Sequence, residues 1–192
     1  NPKKVWDATH PCLAQHRPIT ILGIGALGAA CGKTLNNLGF PVTGWSRLPK
    51  TVQGIDCHHG PEGLRRALKT AQILILLLPD TPQTKNVLNA QTLAQMPKGS
   101  VILNPGRGPL IDDDALVTAL RGGHISAACL DVFRVEPLPR ERTYWTLPNV
   151  TVTPHIASGT RVATAAEVIV NNIKRGEQGL QFLYLVDRTV GY

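Results

Sequence analysis

Aromatic side chains are scarce in this 192-residue sequence, at 5% of the chain. That scarcity matters because Lys and Arg outnumber Asp and Glu, for a formal charge of +7. Nucleic-acid binding usually combines a clustered basic surface with rings that stack on bases. Here the cations are scattered and the rings few, so the excess charge suits a small anionic partner better than a polynucleotide. Long apolar runs are also missing. The longest, residues 73–79, is far too short to cross a bilayer. No signal-peptide core follows the N-terminus and no initiator Met precedes it, which leads us to expect a processed or trimmed chain. The four cysteines, Cys12, Cys31, Cys57 and Cys129, form no Cys-x-x-Cys pair. A zinc or redox motif is therefore not indicated, and buried thiols in a reducing cytoplasm are expected. The acidic run Asp112-Asp113-Asp114 has no second cluster of acids or histidines nearby. It reads as the start of a helix, where carboxylates cap free N–H groups and favour the dipole, and no metal site is expected. Internal repeats and low-complexity segments are absent.

What is present begins with a pattern of glycines. Ile19-Thr20-Ile21-Leu22 reads as a strand and enters Gly23-Ile24-Gly25-Ala26-Leu27-Gly28, after which helical spacing runs to Gly39. In a dinucleotide site Gly23 allows the tight turn and Gly25 lets the backbone approach a pyrophosphate. Gly28 lets the helix lie close to the sheet. The helix N-terminus, with Ala26 and Leu27 in its first turn, offers N–H groups to the phosphates. A second strand over residues 42–45 ends in Ser46-Arg47-Leu48-Pro49-Lys50, and no acid occurs between Phe40 and Ile55. An acid there would bind the ribose hydroxyls of NAD. Ser46, Arg47 and Lys50 instead suit the extra phosphate of NADP, so NADP(H) is favoured over NAD(H). Further strands are expected at residues 73–78, 101–104, 125–130 and 150–153. Helices are expected near residues 62–70, 93–96, 113–120 and 160–174, the last stopping at Gly176. Six strands alternating with helices predict an α/β fold, a doubly wound parallel sheet of the Rossmann type. Val5-Trp6 is read as the end of a helix within a lead-in and hinge, residues 1–18. The dinucleotide-binding domain spans residues 19–157, and a C-terminal helix and tail occupy residues 158–192.

Ligands bind at the carboxyl ends of the strands in such sheets. The polar residues expected there are Asn104 with Arg107, Asp131 with Glu136, and His155. Five of the six histidines are expected in loops without a surrounding pattern; only His155 follows an apolar strand at that edge.

Three stretches at this edge resemble the signatures of one family. They are Asn104-Pro105-Gly106-Arg107-Gly108 with Asp112-Asp113-Asp114-Ala115-Leu116, then Leu130-Asp131-Val132-Phe133-Arg134-Val135-Glu136-Pro137-Leu138-Pro139, and Thr153-Pro154-His155-Ile156-Ala157. The family is the D-isomer-specific 2-hydroxyacid dehydrogenases. Trp45-Ser46-Arg47 and the ending Val186-Asp187-Arg188-Thr189-Val190-Gly191-Tyr192 resemble its glyoxylate- and hydroxypyruvate-reducing branch. The resemblance implies hydride transfer between the nicotinamide and a small 2-oxoacid. Arg107 would hold the substrate carboxylate and carbonyl through its planar fork, and His155 would donate the proton, since imidazole titrates near neutral pH. Glu136 would orient His155. Asp131 would hold the nicotinamide carboxamide, with Leu78, Pro79 and Ala157 also at the cofactor. The family also carries an N-terminal substrate domain that this sequence largely lacks, and on which its last helix would pack. The apolar face of residues 160–174 is therefore expected to be exposed, covered by a second chain or displaced. A homodimer formed through the dinucleotide-binding domain is implied as well. Some members of the superfamily act instead as dinucleotide-binding corepressors; the short C-terminus favours the enzyme.

Overall fold

The computed structural model describes residues 12–186 and Arg188. The expected helix end at Val5-Trp6 lies outside the described residues. So does the closing stretch, apart from Val186 and Arg188. In chain order the elements are β1 (Ile19–Leu22), α1 (Ala26–Asn37), β2 (Val42–Ser46), β3 (Asp56–His59), α2 (Gly60–Lys69) and β4 (Ile73–Leu76). There follow α3 (Ala90–Leu93), β5 (Ser100–Asn104), α4 (Asp113–Arg121), β6 (Ile125–Leu130), β7 (Val150–Val152) and α5 (Val162–Glu177). The strands form one sheet in the order β3-β2-β1-β4-β5-β6-β7, and every pairing is parallel. The fold is the expected doubly wound α/β sheet, with seven strands among the described residues instead of six.

β1 is central and buried on both faces, which is why it reads as an unbroken apolar run. Alternation sends Ile19 and Ile21 to one side, where they meet Ile24, Val42 and Ile55 under α1. Leu22 goes to the other side and joins Leu68, Leu74, Leu76, Leu110 and Leu116 beneath α2 and α4. Each such side chain contributes about 1.5–3 kcal/mol by leaving water. The one polar member of β1, Thr20, donates its hydroxyl to the Ala67 carbonyl at 3.1 Å, so its burial leaves no unpaired group. The winding reverses between β1 and β4, and this opens a crevice at their carboxyl ends.

Four sequence expectations need correction. His58 and His59 lie in β3, not in a loop. This edge strand is polar and half-exposed, so it lacks the apolar signature of its neighbours. Helix α5 runs through Gly176 instead of stopping there. A Cβ at Gly176 would come within 3.1 Å of the Phe182 ring, so this glycine makes room for the returning tail. The chain turns at Gly179, where φ is +67°. The cysteines are not fully buried: Cys12 is exposed, and Cys31, Cys57 and Cys129 are half-buried. Cys57 sits on the edge strand, and Cys129 alternates away from the buried Ala128 and Leu130. Finally, the short helix near Leu93 begins earlier, at Ala90, because Asn89 caps it through the Gln91 and Thr92 N–H groups.

Asp112 caps α4 by accepting from the Ala115 N–H at 3.0 Å, as its sequence position suggested. No residue of α5 is buried, and Val162, Ile169, Val170 and Ile173 are exposed. Among the described residues no helix is long and apolar enough to cross a membrane, and no cluster of His, Cys, Asp or Glu is arranged to hold a metal ion.

Candidate active site

The crevice above β1 and β4 is a cleft of about 1100 Å³. The glycine loop forms its floor. Gly23 has φ of +111°, and a Cβ there would lie 2.5 Å from the Leu77 carbonyl oxygen. Only glycine permits both the turn and the close passage to β4. The Gly23 N–H donates to the Trp45 carbonyl at 2.8 Å, which ties the loop to the end of β2. Gly25 occupies the N-cap position of α1 and supplies no side-chain cap. A Cβ at Gly25 would meet nothing within 4 Å, so the helix N-terminus faces open space. Gly28 is the opposite case, with its Cβ position 1.9 Å from the Gly23 carbonyl oxygen. Ala26 and Leu27 line the cleft beside them.

The basic turn reaches the same cleft: Ser46, Arg47 and Lys50 all line it. The Ser46 hydroxyl donates within the turn, to the Leu48 carbonyl at 2.7 Å. Its proton therefore shapes the turn, and Arg47 and Lys50 supply the positive charge. Leu78 and Pro79 form the β4 wall, as expected. Sequence reasoning missed Trp45, whose ring lies at the cleft and whose indole N–H donates to the Gly60 carbonyl at 2.8 Å. It also missed Thr81 and Thr84, whose hydroxyls are 3.0 Å apart in the loop after β4. The turn Pro79-Asp80-Thr81-Pro82 at a strand end was the available signal.

The cleft is also lined by Arg107, Asp131 and His155. Asn104, almost fully buried, accepts from the Gly106 N–H at 3.1 Å and donates to the Arg107 carbonyl at 3.0 Å. These two bonds set the loop that presents Arg107 to the cleft; the residue is exposed, and its Nη1 donates to the Gly106 carbonyl at 2.7 Å. Asp131 is buried at the end of β6. Its carboxylate accepts from the Thr153 hydroxyl at 2.6 Å and from the Ile156 and Ala157 N–H groups at 2.9 Å. Burial pushes this carboxyl up, but the three hydrogen bonds and the nearby His155 outweigh it and hold it below its ordinary 3.8. Asp131 lines the cleft, whereas Ala157 does not. The Ala157 N–H is turned toward Asp131, so its place is in the support of the wall; Ser158 and Thr160 line the cleft nearby.

His155 and Glu136 meet across the ends of β7 and β6. The His155 Nδ1 lies 2.7 Å from Glu136 Oε2. The other Glu136 oxygen accepts from the Phe133 N–H at 2.8 Å. Hydrogen bonding to His155 is the main cause that holds the Glu136 carboxyl below its ordinary 4.5; the Phe133 bond and the His155 and Arg107 charges add to it against partial burial. His155 has φ of +55°, a conformation that costs a non-glycine residue free energy and is concentrated at functional sites. Its backbone N–H donates to the Asp131 carbonyl at 2.8 Å, which fixes the turn. Nδ1 is engaged by Glu136, no hydrogen bond of Nε2 occurs among the described residues, and His155 lines the cleft.

The NAD-binding-domain model of the D-isomer-specific 2-hydroxyacid dehydrogenases matches residues 3–157. The chain belongs to that family. Among relatives of this chain, the glyoxylate/hydroxypyruvate reductase A of Yersinia enterocolitica is 39% identical over 190 residues, covering 99% of this chain and 61% of that protein. The reductase of the same name from Salmonella heidelberg is 41% identical and covers 98% and 60%. The chain thus spans about three fifths of the length of these relatives. A D-isomer-specific 2-hydroxyacid dehydrogenase from Xanthobacter autotrophicus, crystallised with NADPH and MES, superposes with a TM-score of 0.96 at 46% identity, covering all of this chain and 79% of that one. An NADPH-dependent glyoxylate/hydroxypyruvate reductase from Sinorhizobium meliloti, in complex with NADP and sulfate, gives 0.94 at 33% identity, covering 100% and 62%. The resemblance drawn from the three signatures, and from Trp45-Ser46-Arg47 within the family, is borne out by these relatives.

Proposed function

We propose that this chain is the dinucleotide-binding part of an NADPH-dependent reductase of small 2-oxoacids of the glyoxylate and hydroxypyruvate type. The observation that carries the reading is the His155–Glu136 pair, 2.7 Å apart, beside the cleft that also contains Arg107 and the glycine loop. The cleft fits a dinucleotide: space above Gly25 admits a pyrophosphate against the α1 N-terminus. Arg47 and Lys50 give a 2′-phosphate its counter-charges. Asp131, which lines the cleft, would hold the carboxamide of a nicotinamide. When bound there, NADPH supplies the hydride. Arg107 holds the substrate carboxylate and polarises its carbonyl. His155 donates the proton to the carbonyl oxygen from Nε2, and Glu136 fixes the ring through Nδ1 and stabilises its protonated form. The balance is 2-oxoacid, NADPH and one proton to 2-hydroxyacid and NADP.

In this reading residues 1–18 are a hinge, residues 19–157 bind the cofactor, and residues 158–192 pack on a substrate-gripping domain. The exposed apolar face of α5 supports the last assignment. The chain by itself binds cofactor with little turnover. The His155 side chain is 49% exposed and Arg107 is open to solvent, whereas reduction needs the substrate held and water excluded. Homodimerisation through the dinucleotide-binding domain, in the cytoplasm, belongs to the same proposal. The test is NADPH oxidation with glyoxylate and hydroxypyruvate by wild type and His155→Ala. Slow wild-type turnover that falls by about 10²–10⁴-fold in the variant, with NADPH binding retained, is expected. Undiminished turnover in His155→Ala would remove the histidine from the mechanism.

A further inference from the structure

Arg134 lies between Asp131 and Glu136 in sequence but lines no part of the cleft. Its guanidinium turns backward instead. Nη2 donates to the Asn86 side-chain oxygen, to the Ile111 carbonyl and, at 3.3 Å, to the Pro109 carbonyl. Nε lies 3.8 Å from the Asp113 carboxylate, which also accepts from the buried Tyr144 hydroxyl at 3.0 Å. These acceptors belong to two other loops. Asn86 lies in the loop between β4 and α3, Pro109 and Ile111 continue the loop that carries Arg107, and Asp113 opens α4. The two loops are already joined, since the Asn86 N–H donates to the Pro109 carbonyl at 2.9 Å and the Leu88 N–H to the Leu110 carbonyl at 3.0 Å. A second contact brings in the third loop. A Cβ on Gly108 would fall 2.0 Å from the Phe133 carbonyl carbon and 2.4 Å from the Arg134 nitrogen, so the two backbones touch there. Arg107 precedes that contact by one residue, and the Phe133 N–H holds Glu136.

We propose that Arg134 is a positioning residue: it locks the Glu136 loop against the Arg107 loop and so sets the distance between the substrate-holding cation and the carboxylate that orients His155. The proposal rests on the reductase reading for its purpose, but the coupling it asserts exists without that reading. A guanidinium suits the task because Nη2 meets acceptors on two loops while Nε, held in the same plane, faces the Asp113 carboxylate at 3.8 Å; an ammonium point charge reaches both less well.

The test is a double-mutant cycle read by ¹³C NMR titration of the Glu136 carboxyl, in the 192-residue chain. Arg107→Gln is expected to raise the Glu136 midpoint in the wild-type background, because it removes a favourable charge. In the Arg134→Met background the same substitution is expected to raise it by clearly less, with Arg134→Lys intermediate. NADPH affinity is expected to stay within about twofold in both Arg134 variants, since Arg134 touches no cleft-lining side chain. An identical Arg107→Gln effect in wild type, Arg134→Lys and Arg134→Met would overturn the proposal. Should Arg134→Met not fold, the Arg134→Lys arm decides by the same comparison. Failure of the wild type to bind NADPH would count against the reductase reading alone, and the titration would still decide the role of Arg134.

Discussion

Gly25 is the N-cap of α1 and Gly28 lies in its first turn, yet a methyl added at each meets opposite surroundings. At Gly28 an added methyl would sit 1.9 Å from the Gly23 carbonyl oxygen, a backbone atom that has no rotamer by which to escape. Loop and helix must part by about 1 Å or more, and overpacking of this kind costs about 1–3 kcal/mol. For a domain of this size, that lowers the melting temperature by roughly 2–4 °C per kcal/mol. At Gly25 the methyl meets nothing within 4 Å, and φ of −83° suits any residue. Alanine is a poorer N-cap than glycine by several tenths of a kcal/mol to about 1, while the stiffer unfolded chain returns about 0.4–1. The net stability change is about zero. The methyl does, however, occupy the space where a pyrophosphate would meet the α1 N–H groups. NADPH binding should therefore weaken by at least about tenfold, or about 1.4 kcal/mol. Thermal unfolding followed by circular dichroism, with NADPH fluorescence titration of both variants, separates the effects. Gly25→Ala that binds NADPH like wild type would remove Gly25 from the phosphate site, and Gly28→Ala that melts like wild type would show that the helix and the Gly23 loop part without cost.

Acid should destabilise the chain through two named carboxylates. Asp131 and Glu136 both titrate below their ordinary 3.8 and 4.5 in the folded state, so their contribution is complete above those values and is lost as pH falls through the lower native ones. The urea midpoint should fall from pH 6 to pH 3, and Glu136→Gln should flatten that fall; a variant curve as steep as wild type would contradict it. Asp112→Ala removes the 3.0 Å bond that caps α4 and should cost about 1 kcal/mol by urea unfolding, with NADPH binding unchanged.

The parts legible in the sequence are those where the chain must satisfy a local rule. The buried run of β1 and the glycines after it announce themselves because a central parallel strand is apolar on both faces and the turn tolerates no side chain. β3 was invisible for the complementary reason. Asp56-Cys57-His58-His59 has its faces half-exposed and takes its place only by pairing with β2. Gly176 looked like a helix stop because local spacing cannot reveal the Phe182 ring that lies over it. Of the site, Arg107, Glu136 and His155 could be found from their strand ends and signatures. The support could not. Arg134 finds its partners 21 to 48 residues away, and Asp131 accepts from groups 22 to 26 residues on. No spacing rule of helix or strand carries information over those separations.

In the proposed function the cleft is built for NADPH, with the turn after β2 selecting the extra phosphate. Fluorescence titration of the 192-residue chain with NADPH and with NADH tests it directly, together with Arg47→Ala. NADPH should bind at least about tenfold more tightly than NADH, equivalent to about 1.4 kcal/mol, and Arg47→Ala should remove most of that difference while leaving NADH affinity unchanged. Equal affinity of the wild type for the two cofactors would contradict the account.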